Sequence, residues 1–135
     1  MIYMNNKVLN ILFLGGAKRV SMAEKFIEEG IKRNVKVNIF SYELDKNVPI
    51  SFLAEIIIGL KWGSKDIYKH LLKISLDYKI NIIIPFLDHS TLVSAKLKNM
   101  IEFRKIFIPV SSEETCKIFF DKHLANKWCV ENKIK

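Results

Sequence analysis

Two segments constrain this chain more than any other feature: Val8-Leu-Asn-Ile-Leu-Phe-Leu14 and Asn81-Ile-Ile-Ile-Pro-Phe-Leu87 are apolar on both faces. A strand with one wet face alternates apolar and polar residues. These do not, so each predicts a strand covered on both sides, as happens in parallel sheets flanked by helices. The intervening sequence supplies the helices. Met22, Phe26, Ile27 and Ile31 recur at helical spacing up to Asn34, with Ser21 and Glu24 set as a capping box. Ile67, Leu71, Ile74 and Tyr78 form a second stripe, widened by Leu72, with Ser64 as its N-cap and Lys65, Lys69, Lys73 and Lys79 outside it.

The remaining elements follow the same logic. Val35–Tyr42 alternates and reads as a strand, Pro49 stops its continuation, and Glu55-Ile-Ile-Ile-Gly59 is a short strand. After Leu87, one of Asp88, His89 or Ser90 is expected to cap a helix carrying Leu92, Val93 and Leu97. Lys105-Ile-Phe-Ile-Pro-Val110 predicts a fifth strand. Ser111-Ser-Glu-Glu114 then opens a helix through Phe119 or Phe120, and Asp121 starts another to about Asn132. This order specifies an α/β fold: a doubly wound, mainly parallel five-stranded sheet with helices on both faces, Rossmann-like in plan.

Composition narrows the class. A chain of 135 residues, half of them hydrophobic, can bury roughly two thirds of its unfolded surface, which excludes disorder and coiled coil. Cys116 and Cys129 form no CxxC and no ligand cluster, so neither a disulfide framework nor a zinc site is expected, and both read as packing residues. No apolar run approaches the roughly 20 residues that span a bilayer, and Met1–Lys7 lacks the pattern of a signal peptide, so a cytoplasmic protein without a membrane partner is expected. The formal charge is +8, but only Arg19, Arg33 and Arg104 are arginines and the lysines are dispersed. That distribution reads as solvated surface, and no nucleic-acid partner is expected.

In an open parallel sheet, ligands bind at the carboxyl ends of the strands. There, Gly15-Gly-Ala-Lys-Arg-Val-Ser21 joins two glycines, two cations and a helix start, which suits an anion. The loop departs from the dinucleotide fingerprint, with Ala17 and Val20 where its second and third glycines belong, and a turn that merely leaves the strand is the alternative. Glu43, just past the second strand, reads as a ribose-binding acid or a solvated loop acid. Asp88 reads as a helix cap or a substrate contact. His89 has no partner for acid–base or nucleophilic work in the sequence, and His70 and His123 read as surface residues.

Several pieces coincide in order: Gly15-Gly16 with Lys18-Arg19, Ala54-Glu55, Ile83-Ile-Pro-Phe-Leu-Asp88, Val110-Ser-Ser-Glu-Glu-Thr-Cys-Lys117, and Asp121-Lys122. Together they resemble the N-terminal part of ATP-grasp ligases of the carbamoyl-phosphate-synthase large-subunit-like group, over residues 7–135. The resemblance implies an N-terminal extension over 1–6, a pre-ATP-grasp α/β domain over 7–120, and the start of a truncated ATP-grasp core over 121–135. Such enzymes use ATP and Mg²⁺ to activate a carboxylate as an acyl phosphate for attack by an amine. By residue-for-residue carry-over, Lys122 would contact an ATP phosphate, a surface lysine being the alternative, and Gly15, Gly16, Arg19 and Asp88 would face the non-nucleotide substrate. Ser90 departs from the family, which often has glutamate there.

The resemblance therefore implies a substrate-side domain of an ATP-dependent carboxylate–amine ligase, not catalytic alone. No catalytic residue and no metal ligand is expected within it, and ATP and Mg²⁺ would belong to the full-length enzyme rather than bind this chain. Its expected partners are the remaining ATP-grasp core, from the same or a neighbouring gene, and a small-molecule carboxylate or amine; a homodimer is allowed for. The alternative is a free-standing α/β nucleotide- or anion-binding module. In a self-sufficient module Leu124, Trp128 and Val130 should pack on the sheet; in a fragment they should be partly exposed.

Overall fold

In the computed structural model, which describes residues 7–134, the first apolar segment forms β1 (Lys7–Leu14), and its last four residues are buried. Helix α1 (Val20–Lys32) leads to β2 (Val35–Glu43), a 3-10 turn at Pro49–Phe52 and β3 (Glu55–Ile58). Helix α2 (Ile67–Asp77), β4 (Ile82–Pro85) and α3 (Asp88–Asn99) follow, then a 3-10 turn at Ile101–Phe103 and helices α4 (Glu113–Phe120) and α5 (Lys122–Glu131). The strands form one four-stranded sheet in the order β3-β2-β1-β4, every pair parallel.

Both faces are covered, as the apolar strands demanded. Leu12 and Leu14 of β1 join Phe40, Tyr42, Ile67, Leu71, Val93 and Leu97 in one core, beneath α2 and α3. Ile11 and Phe13, pointing the opposite way, pack with Ala23, Ile39 and Ile50 beneath α1 and the Pro49–Phe52 turn. Among the described residues, no helix is long and apolar enough to cross a membrane.

The predicted fifth strand at Lys105–Val110 is not a strand. One bridge, Ile82 to Phe107, is made: Phe107 N–H donates to Asn81 O at 2.9 Å and Ile83 N–H to Phe107 O at 3.0 Å. The next donor of a parallel ladder would be residue 109, which is proline and has no N–H, so pairing stops after one step. The sheet thus has four strands rather than five.

Several helix starts also differ from expectation. The chain enters α1 at Val20, because Arg19 N–H already turns back to Gly16 O at 2.8 Å; Ser21 lies inside the helix and Arg19 holds the N-cap position without a side-chain bond. Ser64 caps a local turn two residues upstream of Asp66, and α2 begins only at Ile67. Ser112, not Ser111, caps α4 by accepting from Thr115 N–H at 3.1 Å. Asp121 caps α5 as expected, accepting from His123 and Leu124 N–H groups.

At the amino end of the sheet, Asn10 ties three elements together. Its amide donates to the Tyr78 and Lys79 carbonyls beyond α2 at 2.9 and 3.2 Å, and its Oδ1 accepts from Asn38 of β2 at 2.8 Å. Asn10→Ala is expected to cost about 1–3 kcal/mol, since it strands partly buried carbonyls and an amide, whereas Asn38→Ala removes one of these bonds and costs less. Urea unfolding of both variants checks the ranking; equal losses would show that Asn10 is not the hub.

Candidate functional site

The carboxyl edge is organised around the end of β1. The Leu14 carbonyl accepts from Phe86 N–H at 3.0 Å and shares the Ser90 hydroxyl, 3.1 Å away, with Leu87 O at 2.8 Å, while Ser90 Oγ accepts Leu87 N–H at 3.0 Å. Of the three cap candidates at α3, the one that serves is therefore Ser90, fully buried and acting from within the first turn; Leu87 occupies the N-cap position. Gly15 follows β1 with φ of +75°, in the region open to glycine. A Cβ there would lie 2.4 Å from Leu87 Cδ1. Leu87 thus fills the crevice between β1 and β4, where strand order reverses and ligands of this sheet type sit.

Leu87 divides the edge in two. On the β1–β2 side, Gly15, Glu43, Leu44, Leu60, Trp62 and Leu87 line one cavity, and Lys18 and Arg19 stand beside it in the next. Glu43 is half-buried and is neither a free loop acid nor exposed for a ribose. It accepts the Ser41 hydroxyl at 2.6 Å, and the backbone amides of Gly16 and Ala17 lie close enough to favour its charged form. Burial pushes its carboxyl above the usual range, against the three donors that pull it down. The amide groups that made the glycine loop look ready for an external anion thus have an internal carboxylate beside them. Arg19 and Lys18 are exposed, Arg19 lying over the Phe86 ring at 5.6 Å.

Tyr42, buried beneath the same cavity, accepts from Leu60 N–H at 2.8 Å and meets His70 Nδ1 at 2.7 Å. The phenol and the imidazole thus share one hydrogen bond, whose proton follows the His70 tautomer. His70 is consequently half-buried and bonded, not a surface residue as expected. Sequence offered one signal for Glu43: Ser41 and Glu43 are two apart at a strand end, hence on one face. No local signal pairs Tyr42 with His70, which lie 28 residues apart.

On the β4 side, Asp88 is the first residue of α3 and exposed. It lines a separate cavity of about 440 Å³ with Pro85, Thr91, Ser111, Cys116 and Phe120 among its walls. Gly16 is buried against Phe13 and Ser41. The four residues assigned to substrate by resemblance, Gly15, Gly16, Arg19 and Asp88, are thus at one edge but do not share one cavity. His89 is exposed, its ring edge-on to Phe120 at 5.1 Å. Lys122 opens α5, exposed and without an ion pair among the described residues. No group of three or more His, Cys, Asp or Glu among the described residues is placed to hold a metal ion.

No protein-family model and no curated protein matches the chain. Its fold is found in solved structures. The N5-carboxyaminoimidazole synthetase from Staphylococcus aureus complexed with ADP superposes with a TM-score of 0.60 at 14% identity, over 91% of this chain and 30% of that one. The biotin carboxylase domain of a thermophilic 2-oxoglutarate carboxylase, bound to bicarbonate, gives 0.57 at 14% identity over 93% and 28%. The biotin carboxylase subunit of a pyruvate carboxylase gives 0.56 at 15% identity over 91% and 27%. The chain thus spans less than a third of each of these proteins, and at these identities the likeness is one of fold.

Two outcomes follow for this edge. Gly15→Ala is expected to destabilise by about 1–3 kcal/mol, and adding Leu87→Ala should recover part of that loss but not the cost of the positive φ; strictly additive effects in thermal melts would mean that Leu87 does not press on Gly15. The raised carboxyl of Glu43 makes the folded chain hold this proton more tightly than the unfolded chain. Its contribution therefore favours folding at low pH and weakens as pH rises from the ordinary carboxylate range through the raised value. Glu43→Gln should flatten that part of the stability–pH curve; an unchanged slope would contradict the burial of the charge.

Proposed function

We propose that the chain is the substrate-side, N-terminal domain of an ATP-dependent carboxylate–amine ligase of the ATP-grasp kind. The observation that carries this reading is the fold likeness, over about nine tenths of the chain, to an ADP-complexed synthetase and to biotin carboxylases. The motif order, ending in Asp121-Lys122, supports the finer assignment to the carbamoyl-phosphate-synthase large-subunit-like branch. In this reading a cytoplasmic ligase is formed when residues 121–135 continue into, or dock with, an ATP-grasp core.

Helix α5 agrees with the proposal. It buries none of its side chains, Leu124 and Val130 are 44% and 68% exposed, and Trp128 packs on Phe119 of α4 at 5.2 Å rather than on the sheet. A free-standing module would gain by covering this face; the core of a ligase would cover it instead. Glu43 weighs against the anion-sensing alternative, because an incoming phosphate would meet its carboxylate beside the loop amides.

ATP and Mg²⁺ would supply the activating phosphoryl group. The described residues do not fit a complete site for them, since no carboxylate cluster could hold the metal. Lys122 fits a single phosphate contact. As the first residue of α5 it places an ammonium where the helix dipole disfavours a cation, a cost of about 0.3–1 kcal/mol that an anion beside it would reverse. Gly15, Gly16, Arg19 and Asp88 would bound the substrate face.

The test is phosphate release by the chain joined to an ATP-grasp core, measured with carboxylate and amine together and each omitted. Lys122→Met should lower the rate by about 100-fold, in the range of lost charge-assisted contacts. By calorimetry the 135-residue chain alone should show no tight binding of Mg·ATP; a dissociation constant of about 10 µM or below would overturn the proposal.

A further inference from the structure

We infer that the cavity between α3 and α4 is a binding site for a primary amine carried on a flat apolar body, with Asp88 as its counter-ion. The walls come from four elements: Pro85 ending β4, Asp88 and Thr91 in the first turn of α3, Pro109–Ser111 of the segment leading to α4, and Thr115, Cys116, Phe119 and Phe120 of α4. Its volume of about 440 Å³ lies within the range of small-molecule pockets. It sits at the carboxyl edge of a parallel sheet, where this architecture places its ligands.

The lining sets the chemistry. Asp88 is the one ionisable carboxylate among the lining residues, which include no Lys, Arg or His. Of the cations nearby, Lys117 pairs with Glu113 at 2.8 Å, and Lys98 stands at the rim, donating to the carbonyl of the lining residue Val110 at 2.7 Å. Asp88 itself makes no ion pair among the described residues, so its charge is free to meet an ammonium. An anion would instead face the Asp88 carboxylate. The Ser111 hydroxyl has no partner among the described residues and offers a second polar contact, while the Thr91 and Thr115 hydroxyls already bond to Leu87 O and Ser112 Oγ.

The opposite wall is aromatic. Phe119 and Phe120 are 49% and 39% exposed, and His89 braces Phe120 edge-on. A planar apolar group laid against these rings would remove their surface from water, with the amine reaching the carboxylate at the mouth of α3. Pro109, which ends the pairing beside β4, is itself one of the walls. Identifying the ligand as the amine substrate rests on the ligase reading; binding itself does not.

The probe is phenethylamine, titrated without ATP into the full chain and followed by amide chemical shifts, with 2-phenylethanol and 3-phenylpropionate as neutral and anionic counterparts. Shifts confined to Asp88, Thr91, Ser111 and Thr115 are expected with the amine. Asp88→Asn, at an exposed helix position, should weaken it about tenfold while leaving the fold intact. Phe119→Ala, also at an exposed position, should weaken amine and alcohol alike. Bound amine should also slow alkylation of Cys116, which lines the cavity, and not of Cys129 on α5. Equal binding of the alcohol and amine, insensitivity to Asp88→Asn, or unprotected Cys116 would each overturn the assignment. Failure of the ligase reading would show separately, as phosphate release that does not depend on an amine while phenethylamine still binds.

Discussion

The carbonyl of Leu14 is the point on which the functional edge of this molecule depends. It takes a hydrogen bond from Phe86 N–H and shares the Ser90 hydroxyl with Leu87 O, and Ser90 in turn takes Leu87 N–H, so the ends of β1, β4 and the start of α3 are one knot around the buried Ser90. Each of these groups is polar and shielded from water, and leaving any one unpaired would cost about 1–3 kcal/mol. The knot has a directional consequence. It lays Leu87 over Gly15, which must be glycine, and sets Asp88 on the far side of that wedge.

Charge is distributed to match. On the β1–β2 side a partly buried carboxylate, Glu43, stands beside the amides of the glycine loop, and the exposed cations Lys18 and Arg19 flank it. On the β4 side a lone exposed carboxylate faces aromatic walls. The two cavities therefore differ in what they can hold, although they adjoin along a single sheet edge. The ion pairs formed by the lysines at Lys25, Lys32 and Lys73 lie on exposed helix faces, where such pairs add little to stability.

Much of this fold was legible in the residues. The two-faced apolar runs of β1 and β4 announced a covered parallel sheet, and the stripes of Phe26–Ile27 and Ile67–Leu71–Ile74 announced helices to cover it, because burial on a fixed period is a local property of the chain. Asp121 could be read as a cap for the same reason: its acceptor and the N–H groups it serves lie within three residues. The misreadings share a different origin. Lys105–Val110 has the composition of a strand, but strand pairing needs a donor at the right register, and Pro109 lacks one. Ser21 and Ser64 had the right neighbours for caps, and were displaced because turns made by Gly16 and Lys61 carbonyls started the chain's reversal elsewhere.

The candidate site divides along the same line. Sequence alone determined that Gly15–Arg19 and Asp88 would stand at one edge, since topology sends every parallel strand's carboxyl end there. Only the tertiary structure decided that Leu87 would separate them, that Glu43 would stand beside the loop amides, that Tyr42 would hydrogen-bond His70, and that a cavity would open beside Asp88. Each of those outcomes pairs residues from different elements, such as Tyr42 with His70 or Ser90 with Leu14, 76 positions away. Periodicity reports which face a side chain turns to; which distant group it meets there is settled by how the elements pack.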